Sequence, residues 1–135
     1  MGCLTGASTY LKNPYYKPPS PTVSAIINNA YKVGSAVIVS VTNTGSTSWT
    51  FYVGATAVKN SYCGSGCDLN ACGNPYVDLP LQSITLNPGQ TGTVTFNVGP
   101  AFQSLGVTVG WVIVKVWQYS YSNCLAGTTV WVNLY

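Results

Sequence analysis

From Pro21 onward, apolar residues recur at every second position in short runs, and Gly, Pro, Asn and Ser separate the runs. A period of two sends alternate side chains to opposite faces of a strand, and short strands at this spacing predict an all-β sandwich or barrel. Seven antiparallel strands are expected. The first covers residues 22–28. The second, 35–42, sets Val37, Val39 and Val41 against Ala36, Ser40 and Thr42. The third, 48–58, places Trp49, Phe51 and Val53 on one face, with Thr50 and Tyr52 on the other. The fourth, 79–86, slips in phase between Leu81 and Ile84, which predicts a bulge or an edge near Pro80. The fifth, 91–98, points Val94, Phe96 and Val98 inward and Thr91, Thr93 and Thr95 outward. The sixth covers 109–119 and the seventh 128–135. Asn43-Thr44-Gly45 and Asn87-Pro88-Gly89 read as turns, the second because proline presets φ and glycine accepts a positive φ. No segment carries a helical period.

Two segments fall outside the pattern. Residues 1–21 hold Pro14, Pro18, Pro19 and Pro21 with Tyr10, Tyr15 and Tyr16, so they read as an arm, either a disordered tail or an extended segment docked on its own domain or on a neighbour. Residues 59–77 form a long loop rich in Gly, Asn, Ser and Cys. The strand domain therefore spans 22–135, with this loop inserted.

The last two strands break the rule that the outward face is polar. Val112, Val114 and Val116 share one face of the sixth strand, and Trp111, Ile113, Lys115, Trp117 and Tyr119 share the other. In the seventh, Val130, Val132 and Leu134 oppose Thr129, Trp131, Asn133 and Tyr135. With the valines inward, Trp111, Trp117, Tyr119, Trp131 and Tyr135 form one outer aromatic face, which Tyr52 joins if the third and sixth strands are neighbours. Such a patch marks an interaction site. It fits a subunit interface, a face covered by the arm, or a platform for sugar rings. If the faces are reversed, the aromatics are core instead.

Charge sharpens this choice. Charged residues make up 5% of the chain, against about 25% in an average soluble domain. All the cations are lysine, histidine is absent, and the acids are Asp68 and Asp78 alone. A neutral, hydroxyl-rich surface does not repel a copy of itself, which favours association. The scarcity of carboxylates favours assembly over sugar binding. Without arginine or a lysine cluster there is no reader of phosphate or base edges, so nucleic acid is not an expected partner. No apolar stretch approaches the ~20 residues of a membrane helix. Met1 is not followed by a basic segment and an apolar core, so no signal peptide is expected, and Gly6 stands where a myristoylation motif needs Ser or Thr.

Cys63, Cys67 and Cys72 lie within ten residues, with Cys3 and Cys124 distant. A zinc site would need Cys124 or Cys3 as its fourth ligand, in a chain without histidine. A disulfide-pinned loop is the better reading, with Cys63, Cys67, Cys72 and Cys124 as candidates and one thiol left over. Disulfides imply an oxidising location or a hyperthermophile. No metal and no cofactor is expected. Without histidine the Ser-His and Cys-His machineries are absent, and Asp68 and Asp78 read as turn residues rather than a glycosidase pair. Catalysis is not expected.

Val39-Ser40-Val41-Thr42-Asn43-Thr44-Gly45, followed by Leu86-Asn87-Pro88-Gly89-Gln90-Thr91-Gly92-Thr93-Val94-Thr95-Phe96, resembles the extracellular immunoglobulin-like domains grouped as CARDB and related archaeal surface-protein modules. In those domains a strand ending in Asn-x-Gly precedes a Leu-x-Pro-Gly turn and a threonine-rich strand. The resemblance implies an immunoglobulin-like β-sandwich and a surface or adhesive role. The expected function is a structural subunit of an extracellular assembly, either a virion exterior or a cell-surface filament or layer. It would self-associate, or join other surface proteins, through the aromatic face and the arm. The alternative is a carbohydrate-binding or adhesive module.

Overall fold

The computed structural model describes residues 20–134. The arm, with Cys3, therefore lies outside the described residues except for Ser20 and Pro21, and Tyr135 lies outside them too. Eight strands and one helix follow in chain order: β1 (Ala25–Val33), β2 (Ala36–Asn43), β3 (Trp49–Val58), β4 (Tyr76–Asp78), β5 (Gln82–Leu86), β6 (Thr91–Asn97), α1 (Gly99–Leu105), β7 (Val109–Tyr119) and β8 (Ser122–Asn133). They make an all-β sandwich of two antiparallel sheets. One has the order β1-β2-β6. The other runs β3-β7-β8, with β5 and β4 pairing in turn along the free side of β3.

The alternation in the sequence is the packing. Val37, Val39 and Val41 of β2, Val94 and Phe96 of β6, Phe51 and Val53 of β3, Val112, Val114 and Val116 of β7, and Val130 and Val132 of β8 are buried in one core. Each such side chain contributes about 1.5–3 kcal/mol on burial. A one-residue slip would turn a strand's whole apolar set outward, so the register is tightly specified. The valine faces are the core, and the reversed arrangement does not occur.

The two motif turns meet although they are distant in sequence. Asn43 is fully buried. Its side-chain amide donates to the carbonyls of Thr47 and Leu86, both at 2.9 Å, and its Oδ1 accepts from the Gly45 N–H. The Asn43 backbone also exchanges hydrogen bonds with the 89–90 turn. One side chain thus ties the end of β2, in the first sheet, to the end of β5, in the second.

Several expected boundaries are corrected. Residues 99–105 form a helix where no helical period was visible. Its seven residues hold only Ala101 and Phe102 fully in the core, too few positions to show a period. Pro100 stands in its first turn, where a missing N–H costs nothing, and Gly106, at φ 69°, ends it. β1 continues past the Asn28-Asn29 pair because a bulge there absorbs the break in phase. β8 begins at Ser122, six residues before its alternation becomes visible, because β7 continues directly into it across the tight turn at Ser120 and Tyr121. The slip near Pro80 is an edge rather than a bulge. β4 and β5 are separate pieces on the side of β3, and residues 79–81 bridge between them.

Candidate functional site

The outer face of the five-stranded sheet is built in cross-strand rows. Tyr76, Val58, Trp111 and Trp131 form the first row, and Asp78, Thr56, Ile113 and Thr129 the second. Gly54, Lys115 and Gly127 form the third, and Ser83, Tyr52, Trp117 and Cys124 the fourth. Tyr52, Trp111, Trp117 and Trp131 are therefore brought to one face, as their spacing predicts. Tyr119 stands at the end of β7, where its ring meets Trp49 edge-on at 5.9 Å. The Trp49 N–H donates to the Gln118 carbonyl at 2.8 Å, which holds that indole at the sandwich rim.

The sequence did not show that the cysteine loop covers this face. Leu69, only 4% exposed, packs on Val58 and Ile113 and makes a second small apolar cluster outside the main core. Tyr62 sets its edge on Trp111 at 5.0 Å, and Trp111 meets Trp131 at 5.2 Å. Two disulfides fix the loop. Cys63–Cys72 closes it on itself, beside a two-way backbone bridge between Cys63 and Asn70. Cys67–Cys124 fastens it to β8. The loop backbone seats so closely that a Cβ at Gly127 would collide with the Gly66 carbonyl oxygen. The four candidate cysteines are thus all paired, in a connectivity that spacing left open. Among the described residues no cluster of metal-ligating side chains occurs.

Loop and sheet together leave a cleft of about 470 Å³. Its floor is Gly54, Thr56, Ile113, Lys115 and Trp117, and its walls include Asn70, Cys72, Tyr76, Asp78 and Tyr121. Asp78, expected in a turn, lies on β4, and its Oδ1 accepts a 2.6 Å hydrogen bond from Thr56. Asp68, also expected in a turn, lies in a short 3-10 helix (Gly66–Asp68) and does not line the cleft. The Lys115 ammonium lies 5.7 Å from the Trp117 ring centroid, within cation–π range, and Tyr121 meets the same ring edge-on at 6.1 Å. Tyr62, Tyr76 and Tyr121 were missed as parts of this face. Tyr76-Val77-Asp78 was too short to show its alternation, and the other two sit in loop and turn.

The described strands also expose Ile26, Tyr31 and Val33 along β1. No helix among the described residues is long and apolar enough to cross a membrane.

No protein-family model matches the chain, and no curated protein matches it. Solved structures do. A β-glucosidase from Kluyveromyces marxianus superposes with a TM-score of 0.51 at 18% identity, over 87% of this chain and 15% of that one. A GH3 β-glucosidase from Bifidobacterium adolescentis gives 0.48 at 20% identity, over 84% and 17% respectively. β-Glucosidase 3B from Thermotoga neapolitana gives 0.47 at 18% identity, over 87% and 17%. The chain thus spans about 15% of the length of the first of these enzymes, and the likeness is one of fold.

Proposed function

We propose that this chain is a non-catalytic structural module of an extracellular surface, and that it associates with copies of itself. The observation that carries this reading is the pair of edge strands lying side by side, β1 and β8. They present Ile26, Tyr31, Val33 and Trp131, each roughly half exposed. Sheet edges are usually guarded by charge. Here Lys32 is the one charged side chain on the two strands, and the whole surface carries too little charge to oppose self-association. Two disulfides suit an oxidising exterior. A virion exterior and a cell-surface filament or layer both meet these requirements. Light scattering and electron microscopy of the oxidised protein test the reading. Ordered oligomers, dispersed by Val33→Lys together with Trp131→Lys, are expected. A monomer that persists at high concentration would sink self-assembly.

The second reading, a carbohydrate-binding or adhesive module, is favoured by one observation: the cleft beneath the cysteine loop. The loop already covers part of the aromatic face within one chain, so less of that face is left for a partner than the sequence suggests. The fold likeness to part of a β-glucosidase brings no activity to this chain.

A further inference from the structure

We propose that the cleft between the cysteine loop and strands β3 and β7 is a subsite for a single neutral pyranose ring. The inference rests on the carbohydrate-binding reading and names its site and ligand class. At about 470 Å³ the cleft falls within the roughly 300–1,000 Å³ typical of small-ligand pockets.

Its chemistry is that of a hydroxyl-bearing ring. Trp117 supplies an apolar aromatic surface, and its indole N–H makes no hydrogen bond to another described residue, unlike that of Trp49. Lys115 adds ammonium donors, which among the described residues meet the edge of cation–π range to the Trp117 ring and no hydrogen-bond acceptor. Asp78 adds acceptors. One carboxylate oxygen takes the Thr56 hydroxyl, which fixes the group and leaves the other oxygen able to accept. Donors and a carboxylate thus converge beside a flat apolar surface. Asp78 disfavours an anion there and Lys115 disfavours a cation. A neutral ring with hydroxyls at its rim and C–H groups on its face satisfies all of them.

Two further features show a built site. Gly54 lets Leu81 and Trp117 close against the floor. A Cβ there would press on a Leu81 methyl at 3.0 Å and lie 3.7 Å from the Trp117 Nε1. Tyr121 and Cys72 line the walls with φ at 55° and 58°, the first set by the tight turn between β7 and β8 and the second held in the loop by the Cys63–Cys72 bridge.

The test uses the oxidised full chain and follows the Trp117 indole N–H by NMR during titration with the methyl glycosides of glucose, mannose and galactose. Saturable movement of that resonance is expected with at least one of them, with a dissociation constant on the order of 1 mM. Asp78→Asn should weaken binding about tenfold. Gly54→Ala, whose Cβ presses on the movable end of the Leu81 side chain beside Trp117 without a positive φ to violate, should also weaken it while the amide spectrum stays folded. Saturable binding that survives both variants places the sugar elsewhere, which overturns this site and leaves the carbohydrate reading standing. No saturable binding with any of the three overturns both.

Discussion

The outer faces of the two sheets solve the same problem in opposite ways. On the three-stranded sheet, much of the face is a field of hydroxyls and amides. Thr42 bonds to Thr91 and to Asn28, and Thr93 and Thr95 stand exposed beside them. Water wets these positions without help, and the exposed large apolar residues of the face, Ile26, Tyr31 and Val33, are confined to its edge strand β1. On the five-stranded sheet the face carries Val58, Trp111, Ile113 and Trp117, and the protein folds its own cysteine loop across part of it. One face is made acceptable by composition, the other by a lid. A lid must be fastened, and both disulfides hold this loop, one within it and one to β8.

That contrast can be broken most forcefully at the fastening. Replacing Cys67 and Cys124 together by Ser removes a bridge spanning 57 residues and should cost about 4 kcal/mol in urea unfolding. The Cys63/Cys72 pair spans 9 residues and should cost about 2.5 kcal/mol. Equal losses would mean the loop is not tied down mainly through β8. Leu69→Ala empties the centre of the outer cluster and should cost about 3 kcal/mol in the same assay. Gly127→Ala pushes against the Gly66 carbonyl and should cost about 2 kcal/mol, with tryptophan emission moving to the red as Trp111 and Trp131 gain water. An unchanged emission maximum would show that these rings do not depend on the loop. On the hydroxyl face, Thr91→Val loses only an exposed hydrogen bond and should change stability by less than about 0.5 kcal/mol.

The comparison also explains what could be read in advance. The sandwich was legible because inward valines repeat at a period of two through β2, β6, β7 and β8, and burial enforces that period wherever a strand has one face in the core. The aromatic face was legible for the same reason. β4 and α1 were not, since three residues and seven residues are too few to establish a phase against the surrounding turns. Tyr31 and Val33 on β1 were hidden behind the Asn28-Asn29 bulge, which looks like a strand end. Asp78 was read as a turn residue because its pairing with Thr56 involves a strand 22 positions earlier.

By itself the sequence determined a charge-poor, all-β sandwich and the alternation that divides its strands into a valine face and an aromatic face, while which of the two is core was settled by the packing. Those follow from local alternation and composition, which act over a few residues. Only the tertiary structure decided which cysteines pair, where the loop lands and that a cleft opens over Gly54. Loop placement depends on contacts between side chains far apart in the chain, such as Leu69 on Ile113 and Gly66 on Gly127, and no local pattern encodes such contacts.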